Sequence, residues 1–463
     1  MLRGMTLISS AEAKDFGRWA ASLGIEHAIP SAEPTPIDAA NIPVMHPFED
    51  SVEVDFARTE VETPSLVLRP TSVDALRRVL ERAAESKVSV TTRGAGHSSG
   101  GQSLTRGLQL DLKGLDRAEL VGEHVHAQAG CRWKAVLRAC APSGRRPSVL
   151  IGSQEPTVGG TLSVGGFGDR TPRAGLQIDQ VESMTVALIG GELREVLPGD
   201  LLFDYVLAGR GQLAVIVDVV FRTCPLPDVM DVRGLHFPSL EGFWRTARAE
   251  LEQPRWDGMP AWWDIATDAV DVLVGRASDA FAMPAVDVPN SSDFEASDDI
   301  ERVPVLAALE MDERVGTAFA APCLEVVCAL KDAPRIMPMF RAALLELGLA
   351  PYLPEGVPLA MFRRNPARPL SPAPEHDDLA VIAAARPEMP GVVAQRVLPS
   401  LRALADALMG AGASLYLMSV EGSRPDFLER QWGEAKAEKL VEAKRAHDPL
   451  GLLNPWVPMK GRL

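Results

Sequence analysis

The sequence predicts a chain of mixed helices and strands in two parts, and three observations predict it. From Ser65 onward, strand-like and helix-like runs follow one another at short intervals. Two glycine-rich loops, Arg93–Gln102 and Val158–Gly168, interrupt those runs in the first half. Composition then shifts after Cys224: four of the eight tryptophans (Trp244, Trp256, Trp262, Trp263) fall within twenty residues. The 463 residues allow roughly two to four domains, and the natural boundary lies near residue 225.

Each element has a local reason. Ser65–Arg69 is a short strand-like run stopped by Pro70. Thr71 and Ser72 offer N-caps, and Val73, Leu76, Val79, Leu80 and Ala83 follow at helical spacing. Val88–Arg93 reads as a strand running into the first glycine loop. Leu108–Leu112 alternates, with Leu108, Leu110 and Leu112 expected on one face. Val125–Ala129 is a strand and Trp133–Ala141 a helix. Met184–Leu188 and Glu192–Leu197 form a hairpin turned at Gly190-Gly191. Asp200–Leu207 suggests a helix and Leu213–Phe221 a buried strand. In the second part, Asp287–Glu301 carries six acids and no bases, which predicts a solvated loop. Cys323–Leu330 is a strand, and Ile336–Leu347 a helix closed by Gly348. Arg363–Pro374 reads as a long loop, Val392–Met409 as a helix containing Pro399, Ser414–Val420 as a strand, and Leu428–Ala446 as one polar helix.

The charge balance, 47 Lys+Arg against 62 Asp+Glu, disfavours nucleic acid as a partner. No run of about 18 apolar residues predicts a membrane span. With no signal-like apolar segment at Met1–Ser22, the expectation is a soluble cytoplasmic protein. The five cysteines (Cys131, Cys140, Cys224, Cys323, Cys328) have no C-x-x-C spacing, so they predict small buried hydrophobes rather than a zinc clip or redox pair. His124 and His126 share one strand face without a third ligand, so no metal site is expected.

The glycine loops carry the chemistry. Arg93-Gly94-Ala95-Gly96-His97-Ser98-Ser99-Gly100-Gly101-Gln102 follows a strand. Glycines there admit positive φ and let backbone N–H groups approach a ligand, as a nest for a diphosphate requires. No Gly-Lys-Ser/Thr follows, so it is not a Walker loop, and no third glycine completes a Rossmann fingerprint. Thr157-Val158-Gly159-Gly160-Thr161-Leu162-Ser163, with Gly165, Gly166 and Gly168, is a second such loop some sixty residues on. Two nests suit one extended ligand, and small residues let a flat ring lie on the backbone. Two ordinary tight loops are the alternative.

Arg93-Gly-Ala-Gly-His97-Ser98-x-x-Gly-Gln102 resembles the flavin-attachment loop of FAD-linked oxidases of the vanillyl-alcohol oxidase (PCMH-type) superfamily. Gly159-Gly-Thr-Leu-Ser163 through Arg173-x-Gly175-x-Gln177-Ile178, and Leu202-Phe203 with Gly209-Arg210-Gly211-Gln212-Leu213, resemble the cytokinin dehydrogenases in particular. His447-Asp448-Pro449 and Leu453-Asn454-Pro455 resemble the superfamily's closing signature. The resemblance covers residues 60–225 and 425–456 and implies an α+β fold. In it, a PCMH-type FAD domain of two α+β subdomains spans 1–225. A substrate domain with an antiparallel sheet covered by helices spans 226–425, and 426–463 returns to the FAD domain. It implies hydride transfer from a small organic substrate, at a C–H beside an amine or hydroxyl, to flavin N5, with oxygen or another acceptor taking the electrons. It further implies FAD held by Arg93, Gly94, Ala95, Gly96, His97, Ser98, Gln102, Thr157, Val158, Gly159, Gly160, Thr161, Ser163, Gly166, Val215 and Asn454. The resemblance also implies His97 as the point of covalent attachment. Glu155 stands where some relatives place a second linking cysteine, so a single link is expected.

Cytokinin dehydrogenases carry a catalytic Asp six residues before the Val of Thr-Val-Gly-Gly. That position here is Gly152, which cannot act as a base. Glu155, Asp169 and Glu421 are the candidate catalytic carboxylates. An acid in a dry pocket can have a raised pKa suited to base work, and a solvated loop acid is the competing reading. Trp262, Trp263, Tyr352 and Tyr416 are candidate pocket aromatics, with the core as the alternative. Arg363, Arg364 and Arg368 are candidates for an acidic substrate, and Arg173 for the flavin side or a plain salt bridge. An abundance of Ala, Arg and Gly suggests a GC-rich bacterial source and secondary metabolism. Oxidative cyclisation, or flavin binding without turnover, remain as alternative functions.

Overall fold

The computed structural model describes residues 8–30, 53–278, 283–310, 319–375, 377–419 and 426–455. Among the described residues, helices and mostly antiparallel sheets are mixed, an α+β arrangement with three sheets.

The small sheet orders Glu26–Ala28, Leu66–Arg69, Leu108–Asp111 and Val90–Arg93. Its last three strands are parallel and the first is antiparallel to its neighbour. Leu108–Asp111 is central and all four of its residues are buried. Leu108 and Leu110 share one face as expected, the polar face of Gln109 and Asp111 is buried on Ser103 O and Arg69, and the strand stops short of Leu112, which begins a 3-10 turn. Helix Val73–Glu85 is capped by Ser72, whose hydroxyl accepts from the Ala75 amide at 3.2 Å. The helix Ser10–Ser22 was not foreseen, yet Ser9 and Glu12 form a reciprocal capping box at its start. That spacing is readable in sequence.

The middle sheet is antiparallel: Ala118–Val121, His124–Gln128, Val215–Pro225, Val181–Ala187 and Leu193–Val196, with Arg145–Pro147 on the far end of the long strand. The predicted hairpin is present, and its turn residue Gly191 has φ +81°.

The large sheet has eight antiparallel strands in the order Glu295–Pro304, Val229–Phe237, Val270–Ser278, Ala261–Trp263, Val357–Arg363, Leu379–Ala385, Leu324–Ala329 and Ser414–Leu415. Side chains alternate across it. Leu235 and Phe237 are buried, with Phe237 edge-on to Phe243 of helix Leu240–Glu252 at 5.7 Å. Met230 and Val232 face a cavity instead. Residues Glu295–Glu301, expected in a loop, belong to the edge strand Glu295–Pro304. Charge on an exposed edge discourages pairing with another chain.

Other expectations need correction. Of the expected strand Ser414–Val420, the described residues 414–419 form strand at Ser414–Leu415 and then turn, with the Ser419 amide donating to Tyr416 O, while Val420 lies outside the described residues. The polar helix is two helices, Phe427–Trp432 and Glu434–His447, broken at Gly433 with φ +82°. The second glycine loop contains a short helix, Val158–Leu162. Helix Gly391–Gly410 does accommodate Pro399. Among the described residues, no helix is long and apolar enough to cross a membrane.

Candidate functional site

The first glycine segment continues the strand Val90–Arg93 and is fastened on several sides. The Arg93 guanidinium is buried and donates to Ser103 Oγ at 2.9 Å and Val54 O at 3.2 Å. Burial pushes its pKa down to about 10. Gly96 has φ +83°, and a Cβ there would lie 2.5 Å from Arg93 Nη2, so only glycine lets the chain fold over this side chain. The buried carboxyl of Asp55 accepts from the Thr59, Glu60 and Gly101 amides at 2.8, 3.1 and 3.3 Å. Desolvation pushes it up to about 6, against those hydrogen bonds. Gln102 Nε2 donates to Leu417 O at 2.8 Å, tying the segment to the far side of the cavity. His97 packs beside Phe56, ring centroids 5.2 Å apart.

The second segment is held from behind by the middle sheet. Val158 and Gly159 amides donate to Cys131 O and Ala129 O at 2.9 and 2.8 Å. Thr157 caps the short helix by accepting from the Gly160 amide at 3.3 Å. The two glycine segments touch: a Cβ on Gly94 would lie 2.2 Å from Thr157 Oγ1, and one on Gly159 2.8 Å from Ala129 Cβ. Side chains at either position would push the walls apart. The chain end closes the third side. Asn454 Oδ1 accepts from the Thr92 amide at 2.8 Å, and its Nδ2 donates to Gly211 O at 2.7 Å. Leu453 forms a parallel bridge with Val90 of the small sheet. Buried Lys444 ties this end down, donating to Gln212 O, Leu453 O and Asp448.

These walls and the large sheet enclose one cavity of about 780 Å³. Of the predicted cofactor residues, Arg93, Gly94, Ala95, Gly96, His97, Ser98, Gln102, Thr157, Gly159, Gly160, Thr161, Ser163, Val215 and Asn454 line it. Val158 and Gly166 do not. The Val158 side chain is buried in the core behind the wall, and the Gly166 amide is spent on Tyr416 Oη at 2.9 Å. Gly152 lines the cavity and offers no side chain.

The catalytic candidates fare differently. Glu155 is absent from the cavity wall and is paired with Arg132, with Lys134 at 3.8 Å. Two cations draw it away from the site. Asp169 does line the cavity, but Arg146 pairs with it and the Leu150 amide donates to it at 3.0 Å. Glu421 lies outside the described residues. Of the aromatics, Trp262 and Tyr416 line the cavity. Trp263 is fully buried core, and Tyr352 is only partly buried against that core. The three arginines do not meet the cavity. Arg368 is buried on Ile178 O and Val181 O, Arg363 reaches Leu251 O, and Arg364 lies near Glu375. Arg173 forms the salt bridge with Asp257, at 2.5 Å. His124 pairs with Glu182 at 2.9 Å.

Sequence reasoning missed Asp55, Arg146 and Arg386. Asp55 sits in a stretch that seemed featureless, and nothing local marks it. Arg146 and Arg386 each follow or occupy a strand facing the cavity, a placement only the sheet registers reveal. Among the described residues, both carboxylates in the cavity wall, Asp169 and Asp257, are ion-paired. Tyr416, pushed upward by burial and by the nearby Glu325, is a neutral phenol.

The donor set fits a flavin dinucleotide. The wall is glycine backbone with buried guanidinium groups at Arg93 and Arg210, the latter lowered to about 9 by burial. An anionic diphosphate beside them would favour their charged forms. Gln154, also in the wall, keeps its Oε1 buried without a hydrogen-bond partner, an acceptor awaiting a donor.

Comparison with known proteins agrees with this geometry. Residues 64–197 match the family model described as an FAD binding domain. The chain is 36% identical over 176 residues to an uncharacterized oxidoreductase in the fasciation locus of Rhodococcoides fascians, 37% of this chain and 40% of that one. It is 31% identical over 269 residues to cytokinin dehydrogenase 1 of Oryza sativa subsp. japonica, 55% of this chain and 49% of the relative. It is 33% identical over 171 residues to cytokinin dehydrogenase 2 of Arabidopsis thaliana, 35% and 34% of the two chains. These matches span less than half of the relatives' own lengths. Residues 64–197 are thus an FAD-binding domain, and over part of its length the chain is similar to an oxidoreductase and to cytokinin dehydrogenases.

Proposed function

We propose that the protein is an FAD-dependent oxidoreductase that takes a hydride from a small organic substrate, at a C–H beside an amine or hydroxyl. Oxygen or another acceptor then receives the electrons. The observation that supports it most is the convergence of both glycine segments on one cavity whose opposite wall is the apolar face of the large sheet. Bound FAD would supply the two-electron acceptor, and the chain supplies placement. The backbone of Gly94–His97 and Thr157–Thr161 would hold the cofactor, with Asn454 and Val215 closing its edge. Met230, Val232 and Leu273 exclude water from the substrate side. Tyr416, fixed on Gly166 and packed edge-on to Phe167 at 4.9 Å, keeps the second segment in place between the two walls.

His97 is the proposed single covalent attachment point, and none of the five cysteines lies in the second glycine segment. We read the chain as an FAD domain (1–225) with two α+β subdomains, a substrate domain (226–425) and a returning end (426–463). The ion pairs on Asp169 and Asp257 argue against a free carboxylate base. Gly152 in place of the expected Asp makes cytokinin itself a poor candidate substrate. Anaerobic mixing with a panel of amines, alcohols and acids, followed by air, tests the reading: bleaching of the flavin bands by some member and recovery in air is expected. A flavin that no member reduces, but that dithionite does, would favour cofactor binding without turnover.

A further inference from the structure

Arg386 follows strand Leu379–Ala385, and Glu325 lies on the neighbouring antiparallel strand Leu324–Ala329. Glu325 is fully buried, and its Oε1 accepts from Arg386 Nε at 3.1 Å and from Arg386 Nη2. Arg386 keeps 39% of its side-chain surface exposed although it sits deep in the protein, because that surface is cavity wall. A guanidinium has five N–H donors and no acceptor. Glu325 takes Nε and Nη2, the buried Cys323 thiol is a further side-chain partner, and the five donors are not exhausted by these two groups. Glu325 also holds the guanidinium firmly charged, and the Tyr416 amide donates to Glu325 O at 2.9 Å. Strand Leu324–Ala329 therefore holds both the anchor and the cavity's phenol through Glu325.

The surroundings make the remaining donors selective. From residue 226 onward, the charged side chains in the described cavity wall are Arg386 and Asp257, and Asp257 is taken by Arg173 and the Ala277 amide. The rest of that wall is mostly apolar, including Met230, Val232, Met259 and Leu273. A donor-only edge in a drying apolar cavity is costly unless an acceptor meets it. A hydroxyl can accept but also brings a donor that finds no match there.

We infer that Arg386 is the specificity-determining anchor of the substrate cavity, receiving a carbonyl or carboxylate oxygen of a substrate that is otherwise apolar, with Glu325 as its positioning residue. This deepens the proposed function and rests on its reading of the cavity as the substrate site.

The test is equilibrium dialysis of the purified protein with three bicyclic probes of similar shape: 2-acetylnaphthalene, 2-naphthoate and 2-ethylnaphthalene. At least one oxygen-bearing probe should bind roughly tenfold or more tighter than the ethyl compound, the size expected for a hydrogen bond to a charged group. Arg386→Met removes the preference, bringing the oxygen-bearing probes level with 2-ethylnaphthalene. Because it strands a buried carboxylate, the double variant Glu325→Gln with Arg386→Met is measured too and should behave alike, while Arg386→Lys retains part of the preference. A tighter carboxylate assigns an anionic substrate, and an equal or tighter ketone a neutral carbonyl; both support the anchor. Equal binding of all three probes, or a preference that survives both Met variants, overturns it. Visible absorbance of the same samples reports flavin independently. Flavin without probe selectivity sinks only this inference, and selectivity without flavin sinks only the flavin reading.

Discussion

One wall of the cavity is backbone and the other is side chain. On the glycine side, Gly94, Gly96 and Gly159 press against Thr157, Arg93 and Ala129 at distances no Cβ tolerates. On the large-sheet side, apolar side chains such as Met230, Val232 and Leu273 alternate out of strands whose opposite face packs on helices. A backbone wall fixes shape and donors without regard to side chain, which suits a constant cofactor. A side-chain wall can be redrawn one residue at a time, which suits a variable substrate.

The largest effect that would separate the walls is at Gly94. Gly94→Val places methyl groups into Thr157, and such overpacking costs about 1–3 kcal/mol. Purified variant should retain less than roughly a tenth of the wild-type flavin; full retention would break the distinction between walls. Asp55→Ala comes next, since it frees the Gly101 end of the first segment. Losing charged hydrogen bonds, about 1.5–3 kcal/mol each before relaxation, should weaken flavin retention by roughly tenfold in dialysis.

Asp169→Asn sharpens the account of the acids. It leaves Arg146, almost wholly buried, without its ion partner, so thermal stability falls by about 1–2 kcal/mol once partial exposure is allowed for. The rate of flavin reduction should change only a few-fold, as should that of Glu155→Gln. A loss of a thousandfold at Asp169 would restore it as the base.

Asp55 also gives a pH signature. Its folded pKa, about 6, lies above the ordinary aspartate value of 3.8. The folded protein therefore binds this proton more tightly than the unfolded chain does. The contribution is fully present below the unfolded value and is lost as pH rises through about 6. Denaturant titrations between about pH 4 and 7 should show this slope in the wild type and a flatter profile in Asp55→Asn. The smallest effect on flavin is at the other wall: Ala360→Val should leave flavin content unchanged and alter only which substrates reduce it.

What could be read from sequence follows the same division. A backbone site needs particular residue types, so the glycines, Thr157 and Asn454 were visible as motifs. The strands and helices behind them were visible as periodicity. The substrate wall needs only apolar side chains of suitable size, and Met230 or Leu273 looks like any core residue until strand register shows which face it takes. Glu155 misled because proximity in sequence to a glycine segment says nothing of direction, and Arg132 with Lys134 turn it outward. Arg386 was hidden because its partner, Glu325, is sixty-one residues away. Leu428–Ala446 looked continuous because one glycine in a polar run is weak evidence of a break, whereas Gly433 is left-handed here.

The central claim, FAD cradled by the two glycine segments and tethered at His97, is tested most directly by the visible spectrum of the purified protein before and after acid precipitation. Flavin bands in the native protein, with the yellow colour remaining in the washed precipitate and moving to the supernatant in His97→Ala, are the predicted result. Colour released by acid from the wild type would contradict the covalent link, and a protein without flavin bands would contradict the cradle itself.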